Sequence, residues 1–399
     1  MKTKIILVLF LFCSINVSFA KSLKINVQNP NSVLVTNAPV VVKLSSLTSL
    51  KNNQLSQLAV YLNGKQISSQ LDDLNGDGTP DELVFLVDLA AGEKKSIVLK
   101  TISEKNRIKF PREVYADLII KEKDGTRKFV SEASSDKNDM YNRMHHHGIA
   151  FESALIAYRI YFDNKSTIDV YGKRKAQLEV ETTGWYPNDE QLKNGYGDDI
   201  LLVNSWVGVG TVKGFDGAKT LHVENFDRRT QRIVSQGNIR TVSEIDVQGW
   251  QYEGKKIDLK VRYIMYARHR DALCEISANA DIDNLTTGVQ QIGGGELLKD
   301  NNLVGSWGSW YPQGDTVKYK KETAGLGVYV PNQDVSTKIY PILSGVDNLV
   351  VFPVKKNTTF SFYLTSVSAK EEFCPIKSAN DFFEYLKTWQ QSLKPIEVK

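Results

Sequence analysis

The sequence predicts an all-β protein: a large antiparallel β-sandwich, preceded by a small β-sandwich or barrel and ending close to a single helix. Short runs rich in Val, Leu and aromatic residues recur between turn signals along most of the chain. Many of these runs alternate apolar and polar residues, as strands with one solvated face do. Convincing helical spacing is confined to residues 379 to 393.

The first 20 residues have the layout of a cleavable secretory signal. Lys2 and Lys4 precede an apolar run at residues 5 to 12, which is too short to cross a bilayer. Residues 18 to 20, Ser-Phe-Ala, are typical of a cleavage site. We therefore expect a mature chain that begins near Lys21 and is periplasmic or secreted. No later stretch predicts a membrane span.

The composition excludes some classes of partner. The 399 residues carry 50 Lys and Arg against 46 Asp and Glu, which leaves no electrostatic footprint for nucleic acid or an anionic membrane. Beyond the signal, the chain has Cys274 and Cys374. An oxidising compartment would allow a disulfide between them, and two buried free thiols fit the sequence equally well.

Residues 21 to 110 are predicted to form the small N-terminal β domain, which ends near Pro111. Asn63-Gly64 is a strong hairpin signal within it. The strand-like runs occupy residues 33–44, 58–64 and 82–89.

An acidic loop in this domain, with the pattern D-x-N-x-D-G-x-x-D, predicts a structural calcium site. Its candidate ligands are Asp73, Asn75, Asp77, Thr79 and Asp81. Val84 stands where a helical EF-hand has its bidentate Glu, so the closer analogy is the nine-residue calcium loop of β proteins. The alternative is a metal-free turn, because Asp, Asn and Gly are the usual turn residues. No organic cofactor is indicated.

Residues 111 to 399 are predicted to form the large sandwich, ending in a helix at residues 379 to 393 that Ser378 caps and Pro395 terminates. Its predicted strands include KAQLEVETTGW (175–185), DILLVNSWVGVG (199–210), IDLKVRYIMYA (257–267), ALCEISANADI (272–282), LGVYVP (326–331) and TFSFYLTSVS (359–368).

The candidate functional site is an apparent hairpin at residues 141 to 173, which is unusually rich in proton-transfer groups. If residues 149 to 163 form one strand, period two puts Arg159 and Tyr161 on one face and Glu152 and Tyr158 on the other. A turn at residues 164 to 166 leads to the partner strand. The predicted open surface is formed by Arg159, Tyr161, Asp169, Tyr171 and Lys173.

Such a surface suits a sugar, whose hydroxyls take polar contacts and whose C–H faces stack on aromatic rings. The predicted catalytic residues are His147, Glu152, Tyr158, Arg159 and Tyr161. The predicted substrate-binding residues are His145, His146, Asp169, Tyr171, Lys173, Trp307 and Trp310.

Plainer interpretations remain open. The charged residues could form a salt-bridged outer sheet face, and Trp307 and Trp310 could close the end of the sandwich. His145 and His147, with Glu152 as third ligand, could instead hold zinc or a similar metal.

Several stretches resemble a domain-of-unknown-function family of secreted proteins from bacterial polysaccharide-utilisation clusters. They are HHGIAFESALIAYRIYFD with IDVYGK, YGDDILLVNSWVGVG, and QLDDLNGDGTPDELVFLVDL. The resemblance covers nearly the whole mature chain and implies a galactose-mutarotase-like supersandwich with carbohydrate-binding character. The N-terminal segment is similar to the barrel of rhamnogalacturonan-lyase-like proteins. The resemblance implies no agreed catalytic set.

Two classes of function follow. The first is an enzyme acting on a uronate-containing poly- or oligosaccharide, most plausibly a lyase with Arg159 as carboxylate clamp, His147 as base and Tyr158 or Tyr161 as acid. Hydrolysis by Glu152 and Asp169, or a mutarotase-like epimerisation, are variants of this class. The second is a glycan-binding protein without catalysis.

Overall fold

The computed structural model describes residues 22–184, 186–312, 316, 320–332 and 339–399. The predicted signal at residues 1 to 20 lies outside these residues. The all-β fold class is confirmed, since the described chain is built of antiparallel sheets with a helix close to its C-terminus. Among the described residues, no helix has both the length and the apolar character needed to cross a membrane.

The N-terminal part is a small sandwich. Its strands are β1 (Ser22–Gln28), β2 (Val35–Lys43), β3 (Leu58–Leu62), β4 (Lys65–Ile67), β5 (Ser69–Asp72), β6 (Glu82–Leu89) and β7 (Lys94–Thr101), with helix α1 at Asn52–Leu55. In the described residues, β2, β6 and β5 form one sheet, and β1, β7, β3 and β4 belong to the other. Val40, Phe85 and Leu99 fill the core between them. Asn63 and Gly64 both have positive φ and make the predicted hairpin turn.

The larger part contains the remaining elements. Up to residue 222 they are β8 (Val114–Asp117), β9 (Ile119–Lys121), β10 (Arg127–Phe129), β11 (Glu132–Ser135), β12 (Gly148–Ser153), β13 (Ile156–Tyr161), β14 (Ile168–Gly172), α2 (Asp189–Lys193), β15 (Asp198–Asp199), β16 (Lys213–Phe215) and β17 (Thr220–Leu221). After it they are β18 (Arg228–Gln236), β19 (Arg240–Tyr252), β20 (Lys255–Tyr266), β21 (Asp271–Ala278), β22 (Ile282–Gln290), β23 (Glu296–Asp300), β24 (Leu303–Trp310), β25 (Glu322–Tyr329), β26 (Tyr340–Ser344), β27 (Asp347–Val354), β28 (Phe360–Ser368), α3 (Ala379–Gln390) and β29 (Glu397–Val398).

These strands pack around one large core. In the described residues a nine-stranded sheet runs in the order β11-β18-β19-β20-β21-β28-β25-β24-β23. Two five-stranded sheets pack on it, with the orders β17-β16-β22-β27-β26 and β15-β14-β13-β12-β8. Strands β9 and β10 form a separate pair. The second five-stranded sheet, here called the site sheet, carries the predicted hairpin and buries Phe151, Ile160 and Val170 in the shared core.

Two of the predicted strands are wrong. The run at residues 175–185, as far as it is described, and most of the run at 199–210 are irregular, although β15 includes Asp199 and isolated bridges form at Gly208 and Val209. Residues 174–184 and 186–197 instead lie across the site sheet and are here called the covering segment. The backbone nitrogens of Glu179 and Val180 in this segment donate to the side chain of Glu152 in β12 rather than to a strand ladder.

The C-terminal helix α3 begins where predicted but ends at Gln390, before the predicted end at residue 393, and Ser378 caps it by accepting a hydrogen bond from Asp381 N. Its buried residues Phe382 and Leu386 meet glycines of β24 and β25. A methyl group on Gly305, Gly325 or Gly327 would come within 2.4–2.8 Å of these two side chains. The absence of side chains at these strand positions therefore lets α3 lie close to the sheet.

Contacts between the two parts of the chain include a strand pair, a buried ion pair and a shared apolar cluster. Strand β29 pairs with β1 and thereby adds to the N-terminal sheet. Arg240 of the large part, 1% exposed, binds the buried carboxylate of Asp72 and also Glu82. Strand β29 thus pairs with β1 of the small sandwich, although α3, which precedes β29 in the chain, packs on the large sandwich.

Candidate functional site

The predicted hairpin has a turn that the sequence pattern missed. The chain folds back at residues 154 and 155, so residues 149 to 163 form two strands, β12 and β13. Ala150 lies opposite Arg159, and Arg159 lies opposite Asp169. Glu152 therefore shares a face with Arg159, contrary to the predicted parity, because directly paired residues point to the same side of a sheet.

The expectation of an open polar surface is wrong for this face. Arg159 is 1% exposed, and Glu152, Asp169 and Lys173 are each 0% exposed. The reason is the covering segment, which turns what would be an outer sheet face into a polar layer between two parts of the chain. Buried charges of this kind are stable only when they are paired and hydrogen-bonded.

Arg159 is the centre of this layer. Its Nη2 atom contacts Asp169 Oδ2 and lies 2.6 Å from Asp199 Oδ2. Tyr161 donates its phenol hydrogen to the same oxygen of Asp169. Asp199 Oδ1 also accepts from Leu201 N at 3.1 Å. One guanidinium therefore holds two carboxylates and a phenol together.

Asp199 has the most useful acid–base properties of this group. Burial, and then the nearby charge of Asp169, raise the pKa of Asp199 to about 7, although Arg159 opposes the shift. A carboxyl with such a pKa can donate or accept a proton near neutral pH. Sequence reasoning missed Asp199 because it lies 30 residues beyond Asp169 and reaches the site sheet only through the short strand β15.

Aromatic rings form the more accessible edge of the layer, here called the aromatic rim. Tyr141 stacks on His147 at 3.7 Å between ring centroids, and both meet Tyr161 edge-on. Tyr186, 37% exposed, lies over the Arg159 guanidinium at 5.7 Å. His147, Arg159 and Tyr161 thus lie close together, and their catalytic roles stay a prediction.

Glu152 and Lys173 anchor the covering segment. Lys173 Nζ contacts Glu152 Oε2 and lies 3.8 Å from Glu179 Oε2. Glu152 also accepts hydrogen bonds from the backbone nitrogens of Glu179 and Val180 at 2.8–3.0 Å. Because the carboxylate is fully engaged, these contacts favour a structural role for Glu152 over the predicted catalytic one.

The two remaining predicted tyrosines also make structural contacts. Tyr158 points to the opposite face of the sheet, is fully buried, and donates to Arg270 O at 2.7 Å. It therefore does not meet Arg159 in a common site. Tyr171 faces the polar layer and donates to Gly197 O at 3.0 Å, which holds the covering segment.

His145 and His146 lie apart from the rim, beside Asp117 of β8. One ligand atom from each of these three residues lies within 4.8 Å of the other two. The sequence-based metal set of His145, His147 and Glu152 is wrong, because His147 stacks in the rim and Glu152 binds Lys173. Burial lowers the pKa of His145 to about 4 and that of His146 well below its usual range.

The two predicted tryptophan platforms differ in exposure. Trp307 is 8% exposed and packs on Phe382 of α3 at 5.6 Å between ring centroids, so it is part of the core under the helix. Trp310 is 42% exposed and lies opposite Glu322 in the β24–β25 pair. Trp310 therefore remains available for stacking.

The acidic loop satisfies its own backbone. Asp73 accepts from the backbone nitrogens of Gly76 and Gly78, each at 2.7 Å. Similar bonds are accepted by Asn75 from Asp77 N, by Asp77 from Thr79 N and by Asp81 from Leu74 N. These are the contacts of an Asx-stabilised turn, and calcium binding stays a prediction. Cys274 and Cys374 are both free thiols.

Comparisons with known proteins complete the description. No curated protein matches the chain significantly. A glycosyl hydrolase family 38 protein from Enterococcus faecalis is 9% identical, with a TM-score of 0.44, over 94% of this chain and 47% of its own. An alpha-mannosidase from Enterococcus faecalis V583 is 10% identical, with a TM-score of 0.43, over 95% of this chain and 46% of its own. The chain thus spans about half the length of each.

The family is shown by sequence. Residues 27–398, nearly all of the described chain, match the family model of a domain of unknown function, DUF4861. The chain therefore belongs to the DUF4861 family.

Proposed function

We propose that this protein is a carbohydrate-active enzyme that catalyses proton transfer at a sugar bound against the aromatic rim. The observation that carries the proposal is the pairing of Asp199 and Asp169 on one guanidinium next to partly exposed rings. A pair of carboxyl groups supplies the acid and base of many glycosidases. Tyr141 and Tyr186 offer ring faces on which a sugar can stack.

Within this class, the geometry favours hydrolysis over β-elimination. A lyase needs a cation that is available to bind the uronate carboxylate of its substrate. Arg159 is buried and already binds Asp169 and Asp199, so a uronate would have to displace one of them. Asp199, protonated below about pH 7, is the better candidate for the group that protonates a leaving oxygen.

The test is a panel of neutral and uronate-containing glycans incubated with the full mature chain. New reducing ends without an unsaturated uronate chromophore would support hydrolysis, whereas the chromophore would identify a lyase. We expect Asp199→Asn to lower kcat/KM by about 10²–10⁴-fold and to remove the loss of activity above about pH 7.

Asp198→Asn is the matched control. Asp198 neighbours Asp199 in β15 and pairs with Gly172, and the charge of Lys370 acts on it more strongly than that of Arg159. Its replacement is expected to leave kcat/KM within a few-fold. Glycan binding without any bond cleavage across the panel would overturn the enzymatic proposal in favour of a binding protein.

A further inference from the structure

Asp117, His145 and His146 form a buried polar cluster whose side chains do not satisfy one another. Asp117 is fully buried, and the two histidines are 2% and 1% exposed. Within the part of the chain that the structure describes, neither carboxylate oxygen and none of the four ring nitrogens makes a hydrogen bond. Six unpartnered polar atoms in one place are unusual, because burying each such group costs about 1–3 kcal/mol.

The local backbone directs the two rings toward Asp117. His145, His146 and His147 form a tight turn in which His146 has φ 56° and ψ 16°. Residues other than glycine adopt this left-handed conformation rarely, and its cost is usually met at functional sites. The turn brings the rings of His145 and His146 to 3.9 Å between centroids and His145 Nδ1 to 4.0 Å from Asp117 Oδ2.

We propose that Asp117, His145 and His146 bind a divalent transition-metal ion of the zinc class. The donor set is two imidazole nitrogens and one carboxylate oxygen, which zinc and iron(II) accept and which calcium and magnesium disfavour. Zinc bonds of about 2.0–2.2 Å would separate the ligand atoms by about 3.3 Å. The 4.0 Å between His145 Nδ1 and Asp117 Oδ2 thus needs only a small contraction.

The covering segment brings backbone groups next to the two histidine rings. Imidazole ligands usually donate their second ring N–H to a carbonyl or carboxylate, which fixes the tautomer that binds metal. The backbone at Gly184 acts as an acceptor on His145, and that at Val180 acts on His146, although neither contact has full hydrogen-bond geometry. Three protein ligands leave a fourth position for water or substrate, as in catalytic zinc sites.

The experiment measures metal directly and does not depend on the proposed glycan activity. The full chain is stripped with a chelator, dialysed against Zn²⁺ and analysed by mass spectrometry for bound metal, and Co²⁺ is added separately to record its ligand-field spectrum. We expect about one ion per chain and a Co²⁺ spectrum of a low-coordinate nitrogen and oxygen site.

Asp117→Asn and His146→Gln are expected to weaken Zn²⁺ binding by about 100-fold or more. His222→Gln is the control, since His222 is half-buried beside Lys213 and outside the cluster. Circular dichroism shows whether each variant folds. If one variant does not fold, Zn²⁺ binding by the other variant tests the proposal.

Two results would overturn the proposal. One is a folded wild-type chain that takes up no Zn²⁺ and whose unfolding temperature does not rise with Zn²⁺. The other is uptake that both cluster variants retain in full. Metal binding without glycan cleavage would leave this inference standing while removing the proposed function.

Discussion

Lys173 and Glu152 form an ion pair in which both side chains are completely shielded from solvent. The pair joins the residue after β14 to the C-terminal end of β12 and, through the backbone at Glu179 and Val180, holds the covering segment. Removing one member of such a pair leaves the other charge buried without compensation.

The burial of the Lys173–Glu152 pair predicts that removing one of its charges costs more stability than removing a charge from an exposed ion pair. Lys173→Met should lower the free energy of unfolding by about 3–5 kcal/mol in a urea titration, because Glu152 would stay buried without its cation. The neighbouring pair Arg174–Glu372 is about half exposed, so Arg174→Met should cost at most about 1 kcal/mol. Equal losses from the two substitutions would show that the buried charge does not anchor this layer.

Gly197 predicts a second stability effect in the covering segment. A methyl group at Gly197 would lie 1.7 Å from the carbonyl oxygen of Gly172, which is backbone and cannot turn away. Gly197→Ala should therefore cost about 3 kcal/mol or more in thermal or chemical unfolding. Gly184→Ala is the control, because the nearest atom to its added methyl group, Tyr186 O, is 3.6 Å away. If both variants unfolded like the wild type, the covering segment would not be packed as described.

Asp347 predicts a dependence of stability on pH. Burial raises the pKa of this carboxyl to about 6, against opposing effects of the Val207 backbone and Lys213. Because the pKa of Asp347 is higher in the folded state than in the unfolded state, the stability that its protonated carboxyl contributes is complete below the unfolded pKa of about 4. This stability is lost as pH rises through about 6.

The unfolding free energy of wild type should therefore fall by about 2 kcal/mol more than that of Asp347→Asn between pH 4 and pH 8. Urea titrations at four pH values measure the difference. Asp216→Asn, at an exposed turn, should follow wild type. Parallel curves for wild type and Asp347→Asn would contradict the assignment.

The acidic loop predicts that calcium stabilises the protein. If calcium binds, the unfolding temperature should rise with Ca²⁺, and the gain in stability at 100 times Kd should be about 2.7 kcal/mol. Asp77→Asn should abolish the rise, because asparagine can still accept the bond from Thr79 N but removes a charged ligand. Asp124→Asn makes the same change in a similar exposed turn and should keep the calcium effect. An unfolding temperature that Ca²⁺ leaves unchanged would identify the loop as a metal-free turn.

The sequence predicted the fold class well because alternation along long strands and turn residues such as Asn63-Gly64 are local signals. It failed at residues 154 and 155, where Ala-Leu makes a tight turn without Gly, Pro, Asn or Asp. It also failed at the covering segment, whose apolar alternation around Val180 serves packing over a sheet. The turn carries none of the usual turn residues, and the placement of the covering segment depends on packing against residues far away in the sequence.

The candidate site was predicted in part for the same reason. His147, Arg159, Tyr161 and Asp169 are close in sequence and meet on one side of the site sheet. Asp117 and Asp199 reach that sheet from distant parts of the chain, and no spacing in a single sequence indicates such a meeting. The sequence did not predict that the site is buried, because the residues of the covering segment have the alternating pattern of a strand.

Strand β29 has a consequence for how the protein comes apart. It follows α3, which sits on the large sandwich, yet its hydrogen bonds are to β1 in the small one. Asn31 and Lys394 reinforce this return with two further bonds. Because the segment from α3 to β29 is anchored in both parts, unfolding of either part should destabilise the other, and calorimetry of the intact chain should record one cooperative melting event rather than two separate ones.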